Sequence, residues 1–325
     1  MALPPILEVH NLSIAYHSLR EITRAVRDIS LQISEGETLA LVGETGSGKS
    51  TFALAVLGLL APQARVESGE ILFEGRSVQS LSRRDWKSIR GPKIGMIFQD
   101  ARIALNPVLS VGDHLVETLR AHQALSKKKA RSRALELLEE VGIPEGQEKR
   151  YPFELSGGAC QRVGIALGIC NMPRLLIADE PTSAVDPTLQ AQILDLLRVM
   201  KQRYGLALLL ISHDLPLIAQ AADRISVLYH GRIVESGLRE EIFAFPAHPY
   251  TRGLIRSQPG MGHHHETHPL APIPGSMPIP GEDFRGCAFA SRCKDAEPRC
   301  RESVPSRRAL STTHEAACNR DAQKK

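Results

Sequence analysis

Short runs of consecutive apolar residues alternate with stretches where apolar residues recur every three or four positions, and this alternation governs the chain to about residue 255. Residues 7–14, 38–42, 94–98, 175–178, 207–211 and 225–229 read as strands. Strands that are apolar at successive positions are buried on both faces, so the pattern predicts an α/β fold with a mostly parallel sheet under helices. The alternation breaks between about residues 100 and 172. There Leu115 and Leu119, then Ala134, Leu137, Leu138 and Val141, keep helical spacing without a convincing strand, and an inserted helical subdomain is expected. It breaks again near Pro259. Pro259, Pro269, Pro272, Pro274, Pro278 and Pro280 follow too closely for a helix or a central strand, and predict a linker or extended arm. The segment beyond Gly281 is short and polar and holds four of the six cysteines. So small a segment has little core of its own, and a bound metal would explain how it folds.

Composition narrows the class. The 325 residues are long for one domain and suggest a large unit plus a smaller one. A net charge of +4 is modest for this length and argues against a nucleic-acid partner, whose footprint is larger and clustered. The densest basic run, Lys127-Lys128-Lys129 with Arg131 and Arg133, reads as a solvated helix face. No run approaches the roughly twenty apolar residues that cross a bilayer. The amino-terminal residues lack a basic flank followed by an apolar stretch, so the chain is expected to stay in the cytosol. In that reducing compartment the cysteines are expected as thiols or metal ligands.

The chemistry begins at Gly43-Glu44-Thr45-Gly46-Ser47-Gly48-Lys49-Ser50, a phosphate-binding loop between the apolar run 38–42 and a helix-compatible run, 51–60, that opens with Thr51. Its glycines let the backbone curl around a phosphate chain with N–H groups inward. Lys49 adds a point charge for the β- and γ-phosphates, Ser50 offers a hydroxyl to Mg²⁺, and the helix presents its positive end. The chain is therefore expected to bind a nucleoside triphosphate. A second element, Leu175-Leu176-Ile177-Ala178-Asp179-Glu180, is an apolar strand ending in two acids. In a protein with such a loop, Asp179 can hold the Mg²⁺ shell opposite Ser50 and Glu180 can polarise a water for attack on the γ-phosphate.

The third element is Leu155-Ser156-Gly157-Gly158-Ala159-Cys160-Gln161-Arg162, followed by a helical run from Val163 to Cys170. Glycines before a helix make a second anion-receptive amino terminus, here without a lysine. Ser156-Gly157-Gly158 with Gln161, ahead of Asp179-Glu180, resembles the signature of ATP-binding cassette (ABC) ATPases. The resemblance implies a P-loop NTPase cassette: a RecA-like core, an antiparallel β subdomain and an inserted helical subdomain that carries the signature. It implies further roles. Gln99 matches the Q-loop glutamine that touches Mg²⁺ and the attacking water. Ser183-Ala184-Val185-Asp186 matches the D-loop, His213 the switch histidine at the γ-phosphate, and Tyr16 is the candidate to stack on adenine. Mg²⁺ would then be held through Ser50, Gln99 and Asp179. In the family, ATP closes between the loop of one subunit and the Ser156-type signature of another, so the site needs a dimer. The chain departs from the pattern at Ala159-Cys160, where the family usually has a larger residue and then a basic one.

The carboxy-terminal part narrows the branch. His248-Pro249-Tyr250-Thr251, the proline-rich arm, Gly286-Cys287-Ala288-Phe289 and Arg292-Cys293 resemble the tail of ATPases from oligopeptide, dipeptide and nickel importers. The segment 98–108 with Asn106-Pro107, and Tyr151-Pro152-Phe153-Glu154 before the signature, fit the same branch. Residues 1–256 are expected as the nucleotide-binding domain and 257–325 as the extension. Cys287, Cys293, Cys300 and Cys318 could hold Zn²⁺ or an iron–sulfur cluster, since both take four sulfur ligands. The spacing matches neither a zinc ribbon nor a ferredoxin run, and the resemblance implies a 4Fe-4S cluster. His263-His264-His265 with His268, in the proline-rich arm, reads as a solvated loop. Cys160 and Cys170 read as small helix residues.

The expected activity is ATP hydrolysis by an energy-coupling subunit of a peptide importer, peripheral at the cytoplasmic face of the inner membrane. The resemblance implies a second ABC ATPase subunit, commonly a paralogue, two permease subunits, and an extracytoplasmic solute-binding protein acting through them. Nickel or another metal complex is the alternative cargo. A soluble cassette ATPase acting on nucleic acid or ribosomes is the alternative of another class. Such proteins usually carry two cassettes in one chain, a long coiled coil or a zinc insertion, and none is visible here.

Overall fold

The structure, a computed structural model, describes residues 5–18, 21–183, 185–257, 272–279 and 281–319. These divide into two compact units. The first holds the described residues up to Ile6, Ile33–Glu37 and Ser80–Ile211; the second holds Leu7–Gln32, Thr38–Gln79 and the described residues from Ser212 onward.

In chain order the strands Pro5–His17 (β1), Ile22–Ser34 (β2) and Thr38–Val42 (β3) lead to helix Lys49–Val56 (α1). Ala64–Phe73 (β4) and Arg76–Ser77 (β5) form a hairpin, followed by Arg83–Ile89 (α2) and Ile94–Ile97 (β6). Four helices come next: Ala101–Ala104 (α3), Val111–His122 (α4), Lys127–Glu140 (α5) and Gly157–Ile169 (α6). Leu175–Asp179 (β7), Pro187–Tyr204 (α7), Ala207–Ser212 (β8), Leu215–Ala219 (α8) and Arg224–Tyr229 (β9) restore the alternation. Arg232–Leu238 (β10), Arg239–Ala244 (α9), Pro249–Arg256 (α10), Arg308–Ala309 (β11) and Glu315–Ala316 (β12) complete it.

In the first unit β6, β7 and β8 lie side by side and parallel, and every residue of β7 and β8 is buried. Helix α6 packs on β6 at very short range. A Cβ on Gly95 would fall 2.1 Å from the Gly168 carbonyl oxygen, so only glycine permits this approach. Between residues 100 and 172 the α-helices are α3 to α6. Serines start the three longer ones: Ser110, Ser126 and Ser156 accept from the N–H groups of Asp113, Lys129 and Ala159. Each such cap contributes about 1 kcal/mol. Lys127, Lys128 and Lys129 are exposed, as the sequence predicts. Arg133 departs from that reading. It is half-buried, donating to Glu136 at 3.0 Å, Glu140 at 3.2 Å and the Tyr204 hydroxyl at 3.1 Å.

In the second unit an antiparallel sheet runs in the order β2-β1-β4-β5. A second set runs β3-β9-β10-β12-β11, with β3 and β9 parallel and the rest antiparallel. Strands β2, β4 and β10 are absent from the sequence-based expectation. Half-exposed antiparallel strands mix polar and apolar residues, as the burial of β2 and β4 shows, and escape a search for continuous apolar runs. Helix α1 starts two residues earlier than the 51–60 expectation and ends at Val56. The tail beyond Gly281 docks by pairing β12 on the edge of β10 and by burying Phe289 against Tyr229 and Tyr250, ring centroids 5.2 and 5.4 Å away. Protein contacts therefore supply much of the core that the sequence reading sought from a metal. His263, His264, His265 and His268, with Pro259, Pro269, Pro280 and Ala184, lie outside the described residues.

Candidate nucleotide site

The loop 43–48 leaves the buried strand β3 and enters α1 at Lys49, the strand–loop–helix setting that a phosphate site requires. Gly48 has φ 108°, and a Cβ there would lie 2.2 Å from the Ala25 carbonyl oxygen. Gly46 has φ 83° with open space where a Cβ would be, so a bulky group can come close to its backbone. The hydroxyl of Ser47 is buried and has no hydrogen-bond partner among the described residues. Lys49 is 4% exposed, and its ammonium donates to the carbonyls of Gly43 at 2.7 Å and Glu44 at 3.0 Å. A cradle of open glycine backbone, an unsatisfied buried hydroxyl and a pre-aimed ammonium fits a magnesium-bound triphosphate. Thr51 shares a 3.1 Å hydrogen bond with the hydroxyl of Tyr16, which ties the candidate adenine-side aromatic to the first turn of α1. His213 is exposed at the end of β8, beside Ser212, whose hydroxyl accepts the N–H of Asp214 at 3.0 Å.

The loop, Tyr16 and His213 belong to the second unit; the carboxylates and the signature belong to the first. Asp179 and Glu180, at the end of β7, are 5% and 8% exposed. Glu180 has φ 46°, a left-handed backbone that is strained for a residue with a Cβ, and its N–H donates to Ile211 of β8 at 2.9 Å. The side-chain amide of Gln99, just after β6, donates to the Glu180 carboxylate at 3.2 Å. Two residues 81 apart in sequence are thereby joined because β6 and β7 are neighbours. Ser183 donates its hydroxyl back to the Glu180 carbonyl at 3.0 Å, and Asp186 caps α7 by accepting from Thr188 and Leu189, each at 3.1 Å.

Ser156 caps α6, its hydroxyl accepting the Ala159 N–H at 3.2 Å. A hollow of about 300 Å³ opens at this helix end, lined among others by Ser156, Gly158, Ala159 and Arg162. Another of about 320 Å³ is lined by Asp100, Ala101, Arg102, Gly157 and Gln161. The side-chain amide nitrogen of Gln161 is buried and has no partner among the described residues. Cys160 is 1% exposed and its thiol donates to the Pro152 carbonyl at 3.3 Å, which explains why a small residue stands there. Burial raises its pKa, and pushes that of Cys170 up to about 12.

Cys287, Cys293, Cys300 and Cys318 line one small pocket of about 20 Å³, with His248, Phe289 and Asp295 among its other walls. Burial pushes the Cys287 pKa up to about 11 and raises that of Cys293. Four converging thiols have the donor chemistry of a soft metal centre. Among the described residues, however, no group of three or more His, Cys, Asp or Glu side chains is arranged to hold a metal ion.

Several residues around the loop carry no sequence signal of a role in supporting it. The Glu44 N–H donates to the Tyr250 hydroxyl at 2.9 Å. Glu235, fully buried in β10, accepts the N–H groups of Ala247 at 2.7 Å and His248 at 2.9 Å and meets His314 at 2.8 Å, fixing the start of α10. A lone acid within the run Arg232–Leu238 was the only available signal. No helix among the described residues is long and apolar enough to cross a membrane.

Comparison with known proteins bears on this arrangement. Residues 26–183 match the family model described as ABC transporter, and residues 234–300 the one described as oligopeptide/dipeptide transporter, C-terminal region. The dipeptide transport ATP-binding protein DppD of Bacillus subtilis is 42% identical over 316 residues, covering 96% of this chain and 94% of its own. The oligopeptide transport ATP-binding protein AppD of the same organism is 43% identical over 304 residues, covering 93% and 92%. An ATP-binding cassette solved as a dimer in a post-hydrolysis state, bound to ADP and Pi, superposes with a TM-score of 0.65 at 29% identity over 72% of this chain and 98% of its own.

Proposed function

The chain belongs to the ABC transporter family, in the branch that carries the oligopeptide/dipeptide C-terminal region, and from that premise we propose that it is the ATP-hydrolysing, energy-coupling subunit of a peptide importer. The observation that carries the reading is the 3.2 Å hydrogen bond from Gln99 to Glu180 in a chain that also holds a complete phosphate loop. Hydrolysis of a γ-phosphate needs positioning and charge neutralisation more than covalent chemistry.

Each part then has a task. Lys49 exchanges its loop carbonyls for the β- and γ-phosphates of ATP. Gly43, Glu44, Thr45, Gly46, Ser47 and Gly48 supply backbone N–H groups, Thr51 continues the helix end, and Tyr16 flanks adenine. Ser50, Gln99 and Asp179 would hold Mg²⁺, which when bound neutralises charge on the phosphate oxygens. Glu180 accepts a proton from the attacking water, and Gln99, within reach of that carboxylate, orients the same water. His213 contacts the γ-phosphate. Ser156, Gly157, Gly158 and Gln161 serve the ATP of a second ATPase subunit, and Ser183 and Asp186 face that partner. Differential affinity of ATP for the closed pair is what drives closure.

Membrane permease subunits take up that motion, and a paralogous ATPase and an extracytoplasmic binding protein complete the assembly. The chain itself sits peripherally on the cytoplasmic side. The names of DppD and AppD favour peptides over nickel as cargo. Residues 1–256 form the ATPase part and 257–325 the branch-specific extension. Its four cysteines, which share one pocket, are the candidate ligands of a 4Fe-4S cluster or Zn²⁺; no step of hydrolysis depends on it. Reconstitution with two permeases and a binding protein tests the whole: peptide-stimulated ATP hydrolysis is expected, and activation by nucleic acid instead would overturn it.

A further inference from the structure

Glu44 places a carboxylate inside the loop proposed to surround a polyanion. An uncompensated negative charge there opposes the phosphates of ATP. The compensation comes from 248 residues away. Arg292 Nη1 donates to both carboxylate oxygens of Glu44, at 3.0 and 3.1 Å. The Arg292 side chain is 5% exposed, that of Glu44 29%.

The guanidinium is itself held on several sides. Its Nε donates to the Pro274 carbonyl at 2.9 Å, and it lies 5.9 and 5.8 Å from the ring centroids of Tyr229 and Phe289. The Arg292 backbone N–H donates to Phe289 at 3.0 Å, so the contact is built into the fold of the tail. On the loop side, the Glu44 carbonyl accepts the Lys49 ammonium at 3.0 Å and the Glu44 N–H is fixed by Tyr250. A continuous set of contacts therefore runs from the residue preceding Cys293, through Glu44, to the lysine of the loop. All of these residues lie in one unit.

We propose that Arg292 is a positioning residue of the ATP site: it neutralises Glu44 and holds the loop conformation on which Lys49 rests, so the C-terminal segment sets the affinity for ATP. The inference rests on the reading of residues 43–50 as an ATP-binding loop. An arginine that merely glued the tail in place would act the same whether or not residue 44 is charged.

Full-length chains are titrated with MgATP by calorimetry in an Glu180→Gln background, which suppresses turnover. Arg292→Gln is expected to weaken MgATP binding about tenfold, and Arg292→Lys, which keeps the charge, to recover most of it. In a Glu44→Gln background the same Arg292→Gln substitution is expected to cost less than about twofold. Thermal melts of every variant establish that it is folded. An equal loss in both backgrounds, or no loss in either, overturns the proposal. Should the chain with Arg292 and Glu44 intact bind no MgATP, and Lys49→Ala change nothing, the ATP-loop reading itself fails.

Discussion

The Gln99 amide nitrogen stands 3.2 Å from a carboxylate oxygen of Glu180, and Glu180 is held on a left-handed backbone at the end of β7. The carboxylate proposed as the base is thus held both through its backbone and through a side-chain partner.

Glu180→Gln is nearly isosteric and keeps a partner for Gln99, but it removes the basic oxygen. Hydrolysis should fall by on the order of a hundredfold or more while ATP binding persists. The trapped state should be a dimer of ATPase subunits, visible as an ATP-dependent mass increase in light scattering. Turnover at the normal rate in this variant removes Glu180 from its assigned role.

The two inner glycines of the loop should respond differently to alanine. Gly46 and Gly48 both have positive φ, so each substitution carries strain of about 1 kcal/mol or more. At Gly46 the new methyl meets open space, whereas at Gly48 it lies 2.2 Å from the Ala25 carbonyl oxygen. Gly48→Ala should therefore lower the melting temperature clearly more than Gly46→Ala and abolish ATP binding. Equal melting temperatures would show that β2 yields freely at Ala25.

These contrasts explain what was legible in the chain. Residues proposed to touch the nucleotide advertise themselves, because phosphate chemistry demands glycines, a lysine and a hydroxyl at fixed spacing, and because the strands β3, β7 and β8 are buried at every position. The parallel strands were readable for the same reason. Strands β2 and β4 were not, since their half-exposed polar positions break any apolar run, nor was β10, whose run is broken by the buried polar Glu235 and Ser236. Arg292, Tyr250 and Glu235 were equally silent as supports of the loop. Their partners lie 248, 206 and 12 residues away, and a contact created by tertiary folding leaves no period in the sequence.

The shared pocket of Cys287, Cys293, Cys300 and Cys318 yields a compositional test. Chain purified without oxygen should carry iron with acid-labile sulfide, or one zinc, in stoichiometric amount. Cys293→Ser should lose that metal. Absence of both metals from the wild-type chain would remove the metal reading, leaving one buried and three partly buried thiols that pack as small apolar groups.

His248 should make stability fall on acidification. It is buried, its Nδ1 accepts the Tyr250 N–H at 3.1 Å, and burial pushes its pKa down to about 4. In the unfolded chain the same imidazole titrates near 6.5. Above that pH both states are neutral and His248 contributes no pH dependence. Between about 6.5 and 4 the unfolded chain binds a proton that the folded chain excludes, so the folded state loses ground by up to about 1.4 kcal/mol per pH unit. Below about 4 the folded state also binds the proton and the loss levels off. His248→Asn keeps a side-chain acceptor for the Tyr250 N–H and removes the titration. Urea melts across this range should show the wild-type chain losing stability relative to His248→Asn as pH falls from 6.5 to 4, with a constant difference above pH 7. Parallel pH profiles for the two chains would mean that His248 is protonated equally in the folded and unfolded states.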